Sequence, residues 1–189
     1  MSDIKARMFN KKASRAKSKA DEIIKSLLLE SGQNVADVGV EGGFFTLRFA
    51  RLVGKMGKVY AVDTNKRFLD FVNNESKNNG IRNVITVLAE HDTFPVKDER
   101  LDMVFFRNVY HHLPDRRDYF RDLAESLKVE GKVVIIDYDG RGRWSFHRLF
   151  GHYVPKEIII EEMNEAGYRL EDSHSFLSEE SFLIFSTVE

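Results

Sequence analysis

Asp37, Gly39, Glu41, Gly42 and Gly43 set a carboxylate two positions ahead of a turn rich in glycine. Glycine lets the backbone approach a ligand closely, and where such a turn opens a helix the first unpaired N–H groups can receive a carboxylate or phosphate. The combination suits a charged, nucleotide-like ligand. A dinucleotide fingerprint G-x-G-x-x-G beginning at Gly39 would need glycine where Glu41 and Phe44 stand, which disfavours a nicotinamide cofactor. Asp63 closes the run Val59-Tyr60-Ala61-Val62-Asp63, and a carboxylate there can accept from two donors at once.

A second group lies in the loop Asn108 to Asp115, where Tyr110, His111 and His112 are candidate catalytic residues on the acceptor side. Imidazole titrates near neutral pH, so one histidine could accept a proton; capping a helix is the alternative use. Adjacent histidines do not easily close on one ion, and no third histidine or carboxylate stands at ligand spacing nearby, so no metal is expected. Lys5, Arg7, Lys11, Lys12, Arg15, Lys17 and Lys19 make the amino terminus basic. Arg141, Arg143, Trp144, His147, Arg148, His152 and Tyr153 form a later cluster with aromatics interleaved. Stacking and bidentate hydrogen bonds from Arg143, Trp144 and Arg148 would suit a flat or anionic acceptor; a solvated surface is the other reading.

The elements that must hold these groups follow from periodicity. Ile23, Ile24, Leu27 and Leu28 predict a helix from Ser18 to Glu30, with Gly32 at its end. Strands are expected at Asn34 to Val38, Lys58 to Val62, Asn83 to Leu88, Leu101 to Phe106 and Lys132 to Ile136. Between them, Phe45, Phe49 and Leu52 mark one helix and Phe68, Leu69 and Val72 a second that ends near Gly80. Phe120, Leu123 and Leu127 mark a third, closed by Gly131. Pro155 opens a last helix that carries Ile159, Met163 and Ala166, with Gly167 as its C-cap. Tyr168 to His174 and Phe182 to Val188 can pair as a hairpin. Strands alternating with helices imply a doubly wound, mostly parallel α/β sheet with an antiparallel strand near the carboxyl terminus, and ligands at the carboxyl ends of its first strands.

The segment from Asp37 to Gly43 resembles motif I of class I S-adenosylmethionine-dependent methyltransferases, D-x-G-x-G-x-G, matched at Asp37, Gly39 and Gly43, with Glu41 the departure. The resemblance implies a seven-stranded Rossmann-like methyltransferase fold and S-adenosylmethionine as cofactor. It implies that Asp63 accepts hydrogen bonds from the ribose hydroxyls, that Glu90 takes the place of the adenine-facing acid and that His91 contributes its backbone amide. Leu101 to Asp115 looks like motif IV of the small-molecule branch, which includes the ubiquinone and menaquinone biosynthesis enzymes. Asp37, Gly39, Glu41, Gly43, Asp63, Glu90, His91 and Arg107 are the cofactor-binding set on this reading. The domain organisation it suggests is a basic arm or helix over residues 1–20, part of the same domain, and a single methyltransferase-like domain over 21–189.

Composition narrows the chemistry. Twenty-nine Lys+Arg against 30 Asp+Glu leave a net charge of -1, so nucleic acid is not the expected partner of the whole chain. The absence of cysteine excludes thiol-adduct methylation and radical chemistry on a thiolate-bound cluster. No apolar run reaches membrane-span length and no secretory signal opens the sequence, so a cytoplasmic location is expected. Asn108 is followed by Val109, Tyr110 and His111 rather than by the two prolines and aromatic of base amino-methylases. The favoured function is methyl transfer to a small molecule. A methyltransferase-like binding protein whose cofactor site is weakened by Glu41, and an RNA or protein methyltransferase using the basic arm, are the alternatives.

Overall fold

The computed structural model describes residues 2–90, 93–97, 100–141 and 152–188. Their contacts divide into two compact units, residues 1–89 and 90–189.

In the first unit, α1 (Ser2–Ala13), a 3₁₀ turn (Ala16–Ser18) and α2 (Ala20–Ser26) precede β1 (Val35–Val38), α3 (Phe44–Val53), β2 (Val59–Asp63), α4 (Lys66–Asn78) and β3 (Val84–Leu88). The strands pair in parallel in the order β3-β2-β1, with Asp37 opposite Ala61 and Asp63 opposite Leu88. All four residues of β1 are buried, as a strand covered on both faces requires, whereas the outer strand β3 leaves Ile85 and Leu88 exposed. Phe45, Phe49 and Val53 recur along one face of α3 and are buried; Leu52, expected in that stripe, is exposed. Asn83 ties the far end of α3 down, its side-chain amide donating to the carbonyls of Ala50, Gly54 and Gly57 at 2.9, 2.8 and 3.2 Å. The Asn65 side chain caps α4 by accepting from the Arg67 amide at 3.1 Å. The helix expected from Ser18 to Glu30 is shorter. Lys19 and Leu28 take left-handed backbone angles at its two ends, and Leu28 is left exposed.

The second unit runs through β4 (Leu101–Arg107), a 3₁₀ turn (Tyr110–His112), α5 (Arg116–Ala124), β5 (Leu127–Tyr138), α6 (Lys156–Glu165), β6 (Tyr168–His174) and β7 (Glu180–Thr187). Its order is β4-β5-β7-β6, with β4 and β5 parallel and β7 antiparallel to both of its neighbours. The chain therefore has the expected seven-stranded, mostly parallel sheet with an antiparallel C-terminal strand. Gly131 does not close α5 as periodicity suggested. It lies inside β5, which starts at Leu127, where the register to β4 shifts; a Cβ on Gly131 would come within 2.8 Å of the Leu101 carbonyl. Phe106, Tyr119 and Phe120 pack edge to face in the core, and the buried Tyr168 hydroxyl donates to the Phe120 carbonyl at 2.8 Å. Among the described residues no helix is long and apolar enough to cross a membrane.

Candidate active site

The first unit gathers its candidates at the carboxyl ends of β1 and β2. Asp37 is buried, and its Oδ2 accepts from the Thr46 hydroxyl at 2.5 Å. Burial pushes its carboxyl up to about 7, against the lowering effect of the Thr46 hydrogen bonds and with the nearby Asp63 charge adding to the rise. The turn that follows has Gly39 at φ 77, Glu41 at φ 48 and Gly43 at φ 75. Gly39 donates to the Val62 carbonyl at 2.8 Å and Gly43 to that of Val40 at 2.6 Å. A Cβ on Gly43 would meet Val72 of α4 at 2.6 Å, so this glycine is fixed by both conformation and space.

Glu41 therefore occupies a left-handed position, a strain of roughly 1–2 kcal/mol for a residue with a Cβ. Its backbone amide gives something in return, donating to Asp63 Oδ2 at 3.2 Å, while Asn65 N–H donates to Asp63 Oδ1 at 2.8 Å. Burial raises the Asp63 carboxyl above its ordinary value, opposed by the amides of Asn65, Glu41 and Thr64. A carboxylate has about four acceptor sites, so Asp63 keeps capacity for donors from a ligand even with these amides facing it. On that count the turn and Asp63 fit a ribose-bearing cofactor.

Gly42 has a different use from the one a flexible turn would suggest. It is buried and does not take a positive φ; a Cβ there would lie 2.3 Å from both the Ala6 carbonyl and the Asn10 Oδ1 of α1. The basic amino-terminal segment is thus a helix seated on the glycine turn, with Ala6 fully buried, Phe9 edge-on to Phe68 at 5.9 Å and Arg7 over the Phe71 ring at 5.9 Å. Asn10 escaped the sequence reading. Its Oδ1 is buried without a hydrogen-bond partner among the described residues, and a lone polar residue in a helix gives no signal of this beyond the bare glycine it abuts.

In the second unit, Glu90 is exposed just beyond β3. Arg107 ends β4 and pairs side-on with Glu180 of β7, Nε donating to Oε1 at 3.4 Å and Nη2 to Oε2 at 3.3 Å. Tyr110 is fully buried, stacks on Phe120 at 5.6 Å and donates its hydroxyl to Glu162 Oε2 of α6 at 2.7 Å. Burial first, and the Glu162 carboxylate next, drive its phenol far above the ordinary range. Arg116 completes the arrangement with two bonds to the same carboxylate, at 2.6 and 2.7 Å. Tyr110 thus anchors the loop to α6.

The histidines are held differently. Asp137, wholly buried at the end of β5, accepts from the His111 amide at 3.0 Å and from its Nδ1 at 2.7 Å, which orients the imidazole and leaves Nε2 as the ring nitrogen not taken by this carboxylate. The His112 ring lies 3.9 Å from that of His111, and His152, some 40 positions later, comes to 5.8 Å from each. His152 thus stands as a third imidazole beside the adjacent pair, which spacing along the chain does not show. Partial burial, helped by His111 and His152 and opposed by Asp137, lowers the His112 pKa below its ordinary value. His91, Arg143, Trp144 and Arg148 lie outside the described residues.

A glycine turn with an acid at each of two adjacent parallel strand ends, on a seven-stranded sheet of this order, defines the fold of S-adenosylmethionine-dependent methyltransferases. Residues 29–171 match the family described as methyltransferase domain, and the chain belongs to it. It is 26% identical over 150 residues to the uncharacterized methyltransferase YcgJ of Bacillus subtilis, covering 79% of this chain and 53% of that one. It is 26% identical over 149 residues to the ubiquinone/menaquinone biosynthesis C-methyltransferase UbiE of Vibrio campbellii, covering 78% and 57%. The chain thus spans little more than half the length of these relatives. A solved S-adenosylmethionine-dependent methyltransferase of Aquifex aeolicus shares the fold with a TM-score of 0.84 at 21% identity, over 96% of this chain and 98% of that one.

Proposed function

We propose that the chain is an S-adenosylmethionine-dependent methyltransferase whose acceptor is a small molecule. The observation that carries the reading is the Asp63 carboxylate, clasped by the Glu41 amide of the glycine turn and by Asn65, with acceptor capacity to spare. Asp63 would accept from the ribose hydroxyls, and the turn from Gly39 to Gly43 would pass its backbone beside the cofactor. Asp37, bonded to Thr46, braces the turn from below. Glu90, the His91 amide and Arg107 complete the proposed cofactor set. When bound, the cofactor supplies a methyl group on a sulfonium, open to in-line attack without a covalent enzyme intermediate.

The rest of the work falls to positioning and proton handling. Aligning the reactants and excluding water can be worth up to roughly 7–11 kcal/mol of the barrier. One of the pair His111 and His112 would take the proton that the acceptor releases, His111 being oriented for it by Asp137 and His112 lying beside it. Arg143, Trp144 and Arg148 are proposed to select a flat or anionic acceptor, on the sequence argument. A small-molecule acceptor is further supported by the likeness to UbiE, whose name specifies ubiquinone and menaquinone biosynthesis.

Methyl-labelled S-adenosylmethionine, incubated with the protein and panels of phenols, quinols and small carboxylic acids in parallel with bulk RNA and protein, tests the proposal. Label in a small-molecule product supports it. Label only in RNA or protein would replace the acceptor class, and no labelled product despite cofactor binding would favour a binding module.

A further inference from the structure

We propose that His111, His112 and His152 form a binding site for one divalent transition-metal ion of the zinc class, three imidazole nitrogens serving as ligands and a fourth position remaining open. Their potential ligand atoms all lie within 4.8 Å of one another. Zinc–imidazole bonds of about 2.1 Å in a tetrahedron put ligand nitrogens about 3.4 Å apart. An ion would draw these nitrogens closer together, and of the three rings His112 and His152 are the ones at exposed positions.

The site is built and not merely crowded. His111 is ordered by the buried Asp137 through both its amide and its Nδ1, the carboxylate–histidine pairing that fixes a metal ligand's tautomer and leaves Nε2 for the ion. Asp137 is itself held by the Tyr138 amide at 2.7 Å. His111 and His112 are presented by the 3₁₀ turn, which is anchored through Tyr110 to Glu162. His152 is brought to them because Val154 N–H donates to the Tyr138 carbonyl at 2.9 Å and the Tyr153 ring packs where a Cβ on Gly140 would stand.

The donor set names the class of ion. Imidazole alone suits zinc, nickel or copper, whereas magnesium and calcium demand oxygen ligands. Three histidines leave room for water or for an acceptor oxygen; with the ion bound, the nitrogens of His111 and His112 are occupied, and the ion's lowering of that oxygen's pKa takes the place of the proton acceptance proposed for them. The site stands independently of the methyl-transfer reading, since its residues need no cofactor to come together.

The whole chain, freed of metal with a chelator, would be titrated with Co²⁺ as a visible probe and then with Zn²⁺ in competition. One Co²⁺ per chain, with the intense visible bands of a low-coordinate site and displacement by Zn²⁺, is expected. His112→Ala and His152→Ala, both at exposed positions, should each weaken Zn²⁺ binding at least about tenfold with unchanged thermal unfolding, and Asp137→Asn by about 10–100-fold. His174→Ala, on β6 and outside the cluster, should bind as the parent does. No stoichiometric ion, or an affinity that survives both exposed replacements, would overturn the site. S-adenosylmethionine titrated into the same samples distinguishes this failure from that of the methyl-transfer reading: cofactor binding without metal binding refutes the metal site alone.

Discussion

The glycine turn of the first unit and the histidine loop of the second are made by opposite means. The turn works through the backbone: left-handed angles at Gly39, Glu41 and Gly43, the Glu41 amide on Asp63, and a bare Gly42 that admits α1. The loop works through side chains, with Tyr110 and Arg116 converging on Glu162 and His111 locked to Asp137. A site made of backbone can keep its shape through a departure such as Glu41, because the amide at that position still donates to Asp63. A site made of side chains loses its shape when one partner is removed.

The comparison can be broken at both ends. The largest effect is expected at Asp37, whose folded-state carboxyl titrates near 7 against an ordinary 3.8. A pKa raised by folding means that the folded protein holds the proton more tightly, so this contribution to stability is full below about pH 4 and is lost as pH rises to about 7. The swing is on the order of a few kcal/mol. Urea unfolding across that range should show stability falling with pH in the parent and a flatter profile in Asp37→Asn; equal slopes would show that Asp37 does not titrate there.

Next in size is Glu162→Ala, which leaves the Tyr110 hydroxyl and the Arg116 guanidinium without their carboxylate. A loss of roughly 2–3 kcal/mol in urea unfolding is expected, with cofactor affinity unchanged. A large loss of affinity would mean that the two regions do not act separately. Asp63→Ala should do the reverse, weakening S-adenosylmethionine by roughly 1.5–3 kcal/mol, tenfold or more, with the circular dichroism spectrum intact. An unchanged dissociation constant removes Asp63 from the site. The smallest effect belongs to Glu41→Gly, which relieves the left-handed strain and should raise cofactor affinity by no more than about tenfold, or 1.4 kcal/mol. A much larger gain by calorimetry would mean that Glu41 suppresses binding in the natural chain.

The same contrast explains what could be read from the sequence. Backbone sites write themselves locally: Asp37, Gly39 and Gly43 fall within seven positions, and Asp63 ends a recognisable strand. The inner parallel strands β1 and β2 are legible because their apolar runs are buried along almost their whole length. Gly131 was misread because a glycine after a helical stripe looks like a cap, and only the close Leu101 carbonyl on β4 explains it as a strand residue. The Glu162 that holds the Tyr110 hydroxyl lies 52 positions away, beyond the reach of a local motif. His152 joins His111 and His112 across a comparable distance, a proximity that spacing along the chain cannot announce.

Calorimetric titration of the natural chain with S-adenosylmethionine tests the central claim most directly. Saturable binding at one site per chain with a micromolar dissociation constant, weakened tenfold or more in Asp63→Ala, is the predicted result. No heat and no protection from thermal unfolding at millimolar cofactor, together with micromolar binding by Glu41→Gly, would contradict it and describe instead a methyltransferase fold that has given up its cofactor.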